Sequence, residues 1–155
     1  MFERLTDGFP MKLMGGIFFL TLEKQLAMLL LFGILIFLDC FTRWIAISHA
    51  HLVSCGRQPT FLEAVCGIRE ARRQRLISSE IMKKRGTEKL ILYNLCVAAG
   101  IVSDALLQEA GVSTDGMAGI VVSYLAATEA LSVIENLSDA GVSSMTELLK
   151  KLRGR

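Results

Sequence analysis

The groups of this chain that could do chemistry are charged, hydroxyl and amide side chains set inside long apolar blocks. Asp39, Thr42 and Arg43 follow the uninterrupted stretch LAMLLLFGILIFL in the first block. Asn94 and Asp104 break a second block. Tyr124, Thr128, Glu129, Ser132, Glu135 and Asn136 fall within or at the end of a third. A charge at the middle of a membrane span costs about 2.5–3.5 kcal/mol, so these groups must face protein or water rather than lipid. Two chemistries fit. One is the lining of an aqueous path or an oligomer interface. The other is hydrogen-bonded packing of a helix on its neighbours within one protomer. Turning the third block by about 100° per residue gathers its six polar residues within an arc of about 140°. Ile120, Leu131, Ile134 and Leu137 lie outside that arc, so the helix has one polar face and one lipid-like face.

The first block offers a local pair. Asp39 stands four residues before Arg43, the order that favours an ion pair on one helix. Thr42 shares their face, and its hydroxyl can bond back to the helix. On the second block Tyr93, Val97, Gly100 and Asp104 share a face, and Gly100 would permit close approach of another helix. That pattern reads first as packing.

Other chemistries find less support. His49, His51, Cys55 and Cys66 are zinc-type ligands in one loop, but they do not form two closely spaced pairs, and ordinary loop and helix roles are the simpler reading. No metal and no cofactor is expected. The sequence contains no GxSxG, HExxH or phosphate-binding loop, and the two histidines have no obvious nucleophile beside them, so an enzyme is not expected. A formal net charge of +2 argues against a general nucleic-acid binder.

The elements that must position these groups follow from composition. Of the 155 residues, 52% are apolar with glycine left out, and the mean hydropathy is +0.49. Soluble chains reach roughly 45–50% only with glycine included. The excess is concentrated in three blocks long enough to span a bilayer, which takes about 20 residues. The fold class is therefore an all-α integral membrane protein with about three transmembrane helices. The spans are expected at 26–47, 89–107 and 117–137, with a short turn at 108–116 and a basic tail at 138–155. Residues 1–25 read as an N-terminal interfacial or re-entrant segment stopped by Glu23 and Lys24. The 48–88 loop should carry an amphipathic helix, opened by Pro59 and capped by a Thr60–Glu63 box. Phe61, Val65, Ile68 and Leu76 recur along it at helical spacing, and it would lie on the membrane surface or stand as a solvated linker.

Orientation follows from basic residues flanking the spans. The first loop carries Arg57, Arg69, Arg72, Arg73, Arg75, Lys83, Lys84, Arg85 and Lys89, of which the seven from Arg69 to Arg85 could meet the membrane surface or lipid. The tail ends in Lys150, Lys151, Arg153 and Arg155, and the short turn has no basic residue. Loop and tail are therefore expected in the cytoplasm, and the N-terminus outside. Cys40 and Cys96 sit in apolar blocks as small hydrophobes, and the four cysteines lack the spacing of a disulfide scaffold.

Several of these residues resemble the motifs of a phage holin family that includes the clostridial toxin-export holins. Leu38-Asp39 and Thr42 resemble its first-span motif. Ser78-Ser79 and Lys83-Lys84-Arg85 resemble its loop. The run from Thr128 to Leu137, TEALSVIENL, is similar to its final-span pattern Leu-Ser-x-x-Glu-Asn. Gly141-Val142 and Leu148-Leu149-Lys150-Lys151-Leu152 resemble its turn and basic tail. The resemblance runs from about Leu35 to Leu152. Arg43 stands where the family usually has Gly, Ser143-Ser144 replace a Pro, and the first loop is longer over 48–74.

The resemblance implies a protein that accumulates in the bacterial cytoplasmic membrane, forms a large homo-oligomer and opens at a set time. The opening would serve host lysis, or export of a murein hydrolase or a toxin, so a murein hydrolase is the implied functional partner. Two other readings stay open. One is a membrane adaptor that docks a cytoplasmic partner or anionic lipid through the long basic loop. The other is a small channel or transporter, which the lack of an inverted repeat disfavours.

Overall fold

The computed structural model describes residues 9–112 and 116–154, and for 9–25, 79 and 81 the backbone alone. Among the described residues five helices follow one another: α1 (Phe9–Ser54), α2 (Phe61–Arg73), α3 (Ser79–Glu109), α4 (Met117–Asp139) and α5 (Ser143–Leu152). No strand is present among the described residues. Three stretches are long and apolar enough to cross a membrane: Leu26–Ser54, Met82–Glu109 and Met117–Asp139. The all-α, three-span expectation is borne out.

The helices extend beyond the apolar blocks they carry. α1 does not stop at Glu23 and Lys24, because Glu, Lys and Gln are good helix formers and no Pro or Gly follows them there. Its backbone runs unbroken for 46 residues, about 69 Å, more than twice the thickness of a hydrocarbon core. Residues 1–8 of the expected N-terminal segment and 113–115 of the expected outer turn lie outside the described residues. α3 begins at Ser79, so Lys83, Lys84 and Arg85 ride on the helix of the second span instead of the loop helix.

Each of α1, α3 and α4 packs against the other two. Phe32 and Ile36 of α1, Tyr93 and Val97 of α3, and Leu125 of α4 form the buried core. The Phe32 and Tyr93 rings meet edge-on at 5.5 Å. Gly100 brings α3 close to α4: a Cβ added there would sit 2.8 Å from the Cα of Ala118.

The capping box forms as its sequence requires. Thr60 N–H donates to Glu63 Oε2 at 2.7 Å, and the Glu63 N–H returns to Thr60 Oγ1 at 3.4 Å. The Thr60 N–H is the main cause holding the Glu63 carboxyl below its ordinary range. The helix it starts does not lie free. α2 folds back on the end of α1 through small residues: Ala64 and Ala71 are fully buried, and a Cβ on Gly67 would come within 2.6 Å of Ser48 Oγ. Val65 and Ile68 pack at the margin of this seam, around Ile45 and Ala140. Phe61 and Leu76, expected on the same apolar stripe, are exposed.

Every helix ends on a residue with positive φ: Gly56, Arg75, Gly111, Gly141 and Gly154. Two of these ends can be compared bond for bond. Val142 N–H reaches Leu137 O at 3.1 Å past Gly141, and Leu76 N–H reaches Ala71 O at 3.0 Å past Arg75. Both are Schellman endings, which favour glycine at the left-handed position. Only α2 places a side chain there.

Candidate functional site

The polar residues of the three spans meet in one network. Asp39 comes from α1, Lys89 and Tyr93 from α3, and Glu129, Ser132 and Asn136 from α4. Lys89 Nζ donates to Asp39 Oδ2 at 2.8 Å and lies 2.9 Å from Glu129 Oε1. The Tyr93 hydroxyl donates to the same Glu129 oxygen. Ser132 Oγ donates to Asp39 Oδ1 at 2.5 Å, and Asn136 Nδ2 donates to that oxygen at 2.9 Å. Asn136 also reaches Thr42 Oγ1 at 3.3 Å, while the Thr42 hydroxyl bonds back to Leu38 O at 2.9 Å.

Helix geometry explains the meeting. On α4, residues 129, 132 and 136 are spaced three and four apart, so they line one face. On α3, residues 89 and 93 do the same. Asp104 fixes the relative height of the two helices. Its carboxylate accepts the N–H groups of Met117 at 2.8 Å and Ala118 at 3.0 Å, closing the start of α4 where Gly116 has no side chain to offer. Counting from this cap, the network lies about 16–28 Å into the bundle, mostly past its middle. A carboxylate at a helix N-terminus also meets the positive end of the helix dipole.

Burial makes the network consequential. The Glu129 side chain is 1% exposed, that of Asp39 14% and that of Lys89 35%. A buried charge left alone is costly, and here one ammonium serves two carboxylates while hydroxyl and amide donors fill the remaining lone pairs. The arrangement holds charge within the bundle. Among the described residues no group of three or more His, Cys, Asp or Glu is placed to hold a metal ion.

The sequence-derived site residues therefore divide. Asp39, Thr42, Glu129, Ser132 and Asn136 come together. Arg43 does not pair with Asp39. It lies 3.6 Å from Asp139, with both side chains more than half exposed. An i, i+4 pair contributes only about 0.2–0.5 kcal/mol, whereas Lys89 relieves two buried carboxylates at once. Glu135 turns outward to Arg153 of the tail at 2.6 Å. Tyr124 is 70% exposed, and Thr128 bonds back to Tyr124 O on the outer surface. Asp104 caps a helix. Arg69, Arg72 and Arg73 are exposed on α2, and Lys83, Lys84 and Arg85 are exposed at the start of α3.

Lys89 and Tyr93 are the network members that sequence reasoning did not place there. Lys89 counts as a flanking charge when spans are read one at a time. Its signal is a long flexible cation at the mouth of a helix whose neighbours carry two acidic residues with no nearby counter-charge.

Between α1, α3 and α4 the network opens into a cleft of about 300 Å³, with Arg43, Arg85 and Met82 at its mouth. A smaller cleft of about 200 Å³ adjoins it under the turn that follows α2.

A family model described as the bacteriophage holin family matches residues 59–154. The match includes Lys89, Tyr93, Asp104, Glu129, Ser132 and Asn136, and it leaves out Asp39 and Thr42. No curated protein and no solved structure matches the chain.

Proposed function

This chain belongs to the bacteriophage holin family, and on that premise we propose that it forms a homo-oligomeric pore in the bacterial cytoplasmic membrane. The pore permeabilises the membrane for host lysis, or for passage of a murein hydrolase or a toxin. The observation that carries this reading is the Asp39–Lys89–Glu129 network. Within one protomer, the charges of α4 are matched by α1, α3 or the tail: Asp139 by Arg43, Glu129 by Lys89 and Glu135 by Arg153. The protein can therefore accumulate in lipid without leaking. When copies assemble, the polar face of α4 can exchange these partners for water, so assembly and hydration are coupled. Tyr124 and Thr128, exposed on the outer surface of α4, supply polar contacts for a neighbouring copy.

The basic first loop and the tail face the cytoplasm in this reading, and the N-terminus lies outside. Cys55 and Cys66 are exposed on that loop. A membrane-impermeant thiol reagent should label them only after the cells are broken. Labelling in intact cells would reverse the orientation.

The function is tested by inducible expression in a bacterium, with a membrane-potential dye and culture density followed together. A murein hydrolase is co-expressed in half of the cultures. Abrupt depolarisation at a fixed delay, with lysis only beside the hydrolase, is the expected result. Glu129→Leu and Glu135→Leu should each shift the delay. If both variants keep the parent's timing, the α4 face does not line the hole. An intact potential at high membrane levels would sink the pore.

A second reading draws on the docking of α2, which presents Arg69, Arg72 and Arg73 to one side on a firm support. It makes the chain an adaptor for a cytoplasmic partner or anionic lipid. A stoichiometric partner in pull-downs, lost on deletion of 51–74, would favour it.

A further inference from the structure

The network accounts for Lys89, and the tail accounts for Glu135. Two arginines at the same end of the bundle are left over. Arg43 of α1 and Arg85 of α3 line both of the adjoining clefts. Arg43 has only the 3.6 Å contact with Asp139, largely in the open. Arg85 is exposed and forms no ion pair among the described residues. The acidic groups in the wall of the larger cleft are already matched, Asp39 by Lys89 and Glu135 by Arg153. Arg85 is therefore the cation of this cleft that pairs with no carboxylate among the described residues.

The smaller cleft adds an aromatic side chain to its apolar wall. Trp44 lines it together with Ile47, Leu76 and Met82. The Trp44 indole nitrogen is buried and has no hydrogen-bond partner among the described residues. A buried indole N–H normally finds an acceptor. The turn that covers this cleft is held in place at a cost. Ile77 in it is 5% exposed, and Arg75 just before it stands at φ 60 where the other helix ends have glycine. A side chain at that angle costs about 1–2 kcal/mol.

Depth identifies the chemistry. Arg43 and Trp44 lie about 25 Å along α1 from Leu26, close to the far edge of a hydrocarbon core about 30 Å thick. Tryptophan favours that boundary. Phosphate groups of lipids lie just beyond it. Guanidinium forks match phosphate oxygens in geometry and charge. The apolar floor of Ile47, Leu76 and Met82 suits the glycerol backbone and upper acyl chain, and a free anion would gain nothing from it.

We propose that the paired clefts at Arg43, Trp44 and Arg85 bind one anionic phospholipid, its phosphate held between the two guanidinium groups and its glycerol region against the Trp44 ring. Basic clefts between membrane helices on the basic-loop side are suited to such headgroups. The lipid bridges α1, α3 and the turn after α2. The inference rests on the chain spanning a membrane and not on any hole opening.

Trp44 is the one tryptophan in the sequence and reports on its own cleft. The full-length protein in non-ionic detergent is titrated with short-chain phosphatidylglycerol while Trp44 emission is followed. A saturable spectral change is expected. Arg43→Gln combined with Arg85→Gln should weaken the apparent affinity about tenfold or more, as for loss of charge-assisted contacts. Lys151→Gln, an exposed loss of the same charge on the tail, should leave the titration unmoved. If the double variant does not purify as a helical protein, Arg85→Gln alone carries the result, because that side chain has no ion-pair partner to lose among the described residues. An equal response to short-chain phosphatidylcholine, an equal response to inorganic phosphate, or an unchanged titration in the arginine variants would each overturn the proposal. In micelles no hole opens, so this outcome and that of the permeabilisation assay are read separately.

Discussion

α1 makes two seams of opposite character. Toward α3 and α4, at Asp39, it is joined by charge: one ammonium, two carboxylates and a set of hydroxyl and amide donors. Toward α2, at Ile45 and Ser48, it is joined by closeness, with Ala64, Gly67 and Ala71 letting two backbones approach until little room is left. The first seam can exchange partners, because water or a second copy can satisfy the same charges. The second cannot, because its energy is contact, and contact has no substitute at a distance. A protein that must rearrange in the membrane while keeping its basic loop in place would use the two seams in this way.

The largest expected effect comes from breaking the charged seam. Lys89→Met leaves Asp39 and Glu129 facing one another without a cation. Breaking a buried pair costs about 3–5 kcal/mol, and because Lys89 keeps 35% of its side chain exposed the lower end of that range applies. Thermal unfolding of the detergent-solubilised protein should fall accordingly, and permeabilisation should come earlier. Arg43→Gln, which breaks an exposed pair on the same helix, should cost less than about 1 kcal/mol. Equal losses for the two variants would show that the network is no more than a surface feature.

The small-residue seam should fail next. Gly67→Ala drives its methyl group into Ser48 Oγ, and overpacking of this kind costs about 1–3 kcal/mol. The Ser48 hydroxyl is buried without a hydrogen-bond partner among the described residues, so Ser48→Ala should be close to neutral by itself. The two substitutions together should recover most of the loss, leaving only the 3.2 Å approach to Leu52. A double-mutant cycle measures this. Simple additivity would mean that α2 does not sit on Ser48 as described.

How far the two seams could be read beforehand differs for a physical reason. Charges in apolar blocks announce themselves, so Asp39, Glu129, Ser132 and Asn136 stand out from the sequence alone. Their partner choice does not, since pairing depends on helix rotation. The i, i+4 spacing of Asp39 and Arg43 pointed to a local pair, and the cation that arrived came from Lys89, fifty residues away. The capping box at Thr60 was legible because it is local. The docking of α2 was not, because Ala64, Gly67 and Ala71 carry almost no hydropathy signal, while the larger Phe61 and Leu76 suggested a different face. The apolar blocks were legible, but the ends of the helices that carry them were not: α1 and α3 continue through charged residues that are good helix formers.

The turn between α2 and α3 allows a smaller and stabilising test. Arg75→Gly removes a left-handed side chain from the Schellman ending, against the extra chain entropy that glycine brings to the unfolded state. A net gain of about 0.5–1 kcal/mol in unfolding free energy is expected. A loss of stability would mean that the Arg75 side chain holds the turn by contacts of its own, and that the α2 seam extends past its last helical residue.

The smallest effect tests the other end of the same helix. Hydrogen bonds from Thr60 favour the ionised form of Glu63, so its folded value lies below the ordinary 4.5. The help this gives to α2 is complete above that ordinary value and is lost as the pH falls through the depressed one. Protease cleavage within the Ser54–Phe61 connection should therefore rise in acid below pH 4.5. Glu63→Gln should show no such step, because its amide does not titrate. If the parent and Glu63→Gln respond alike, the start of α2 is held by its packing on Ser48 and Ile45, and the small-residue seam sustains the helix without its cap.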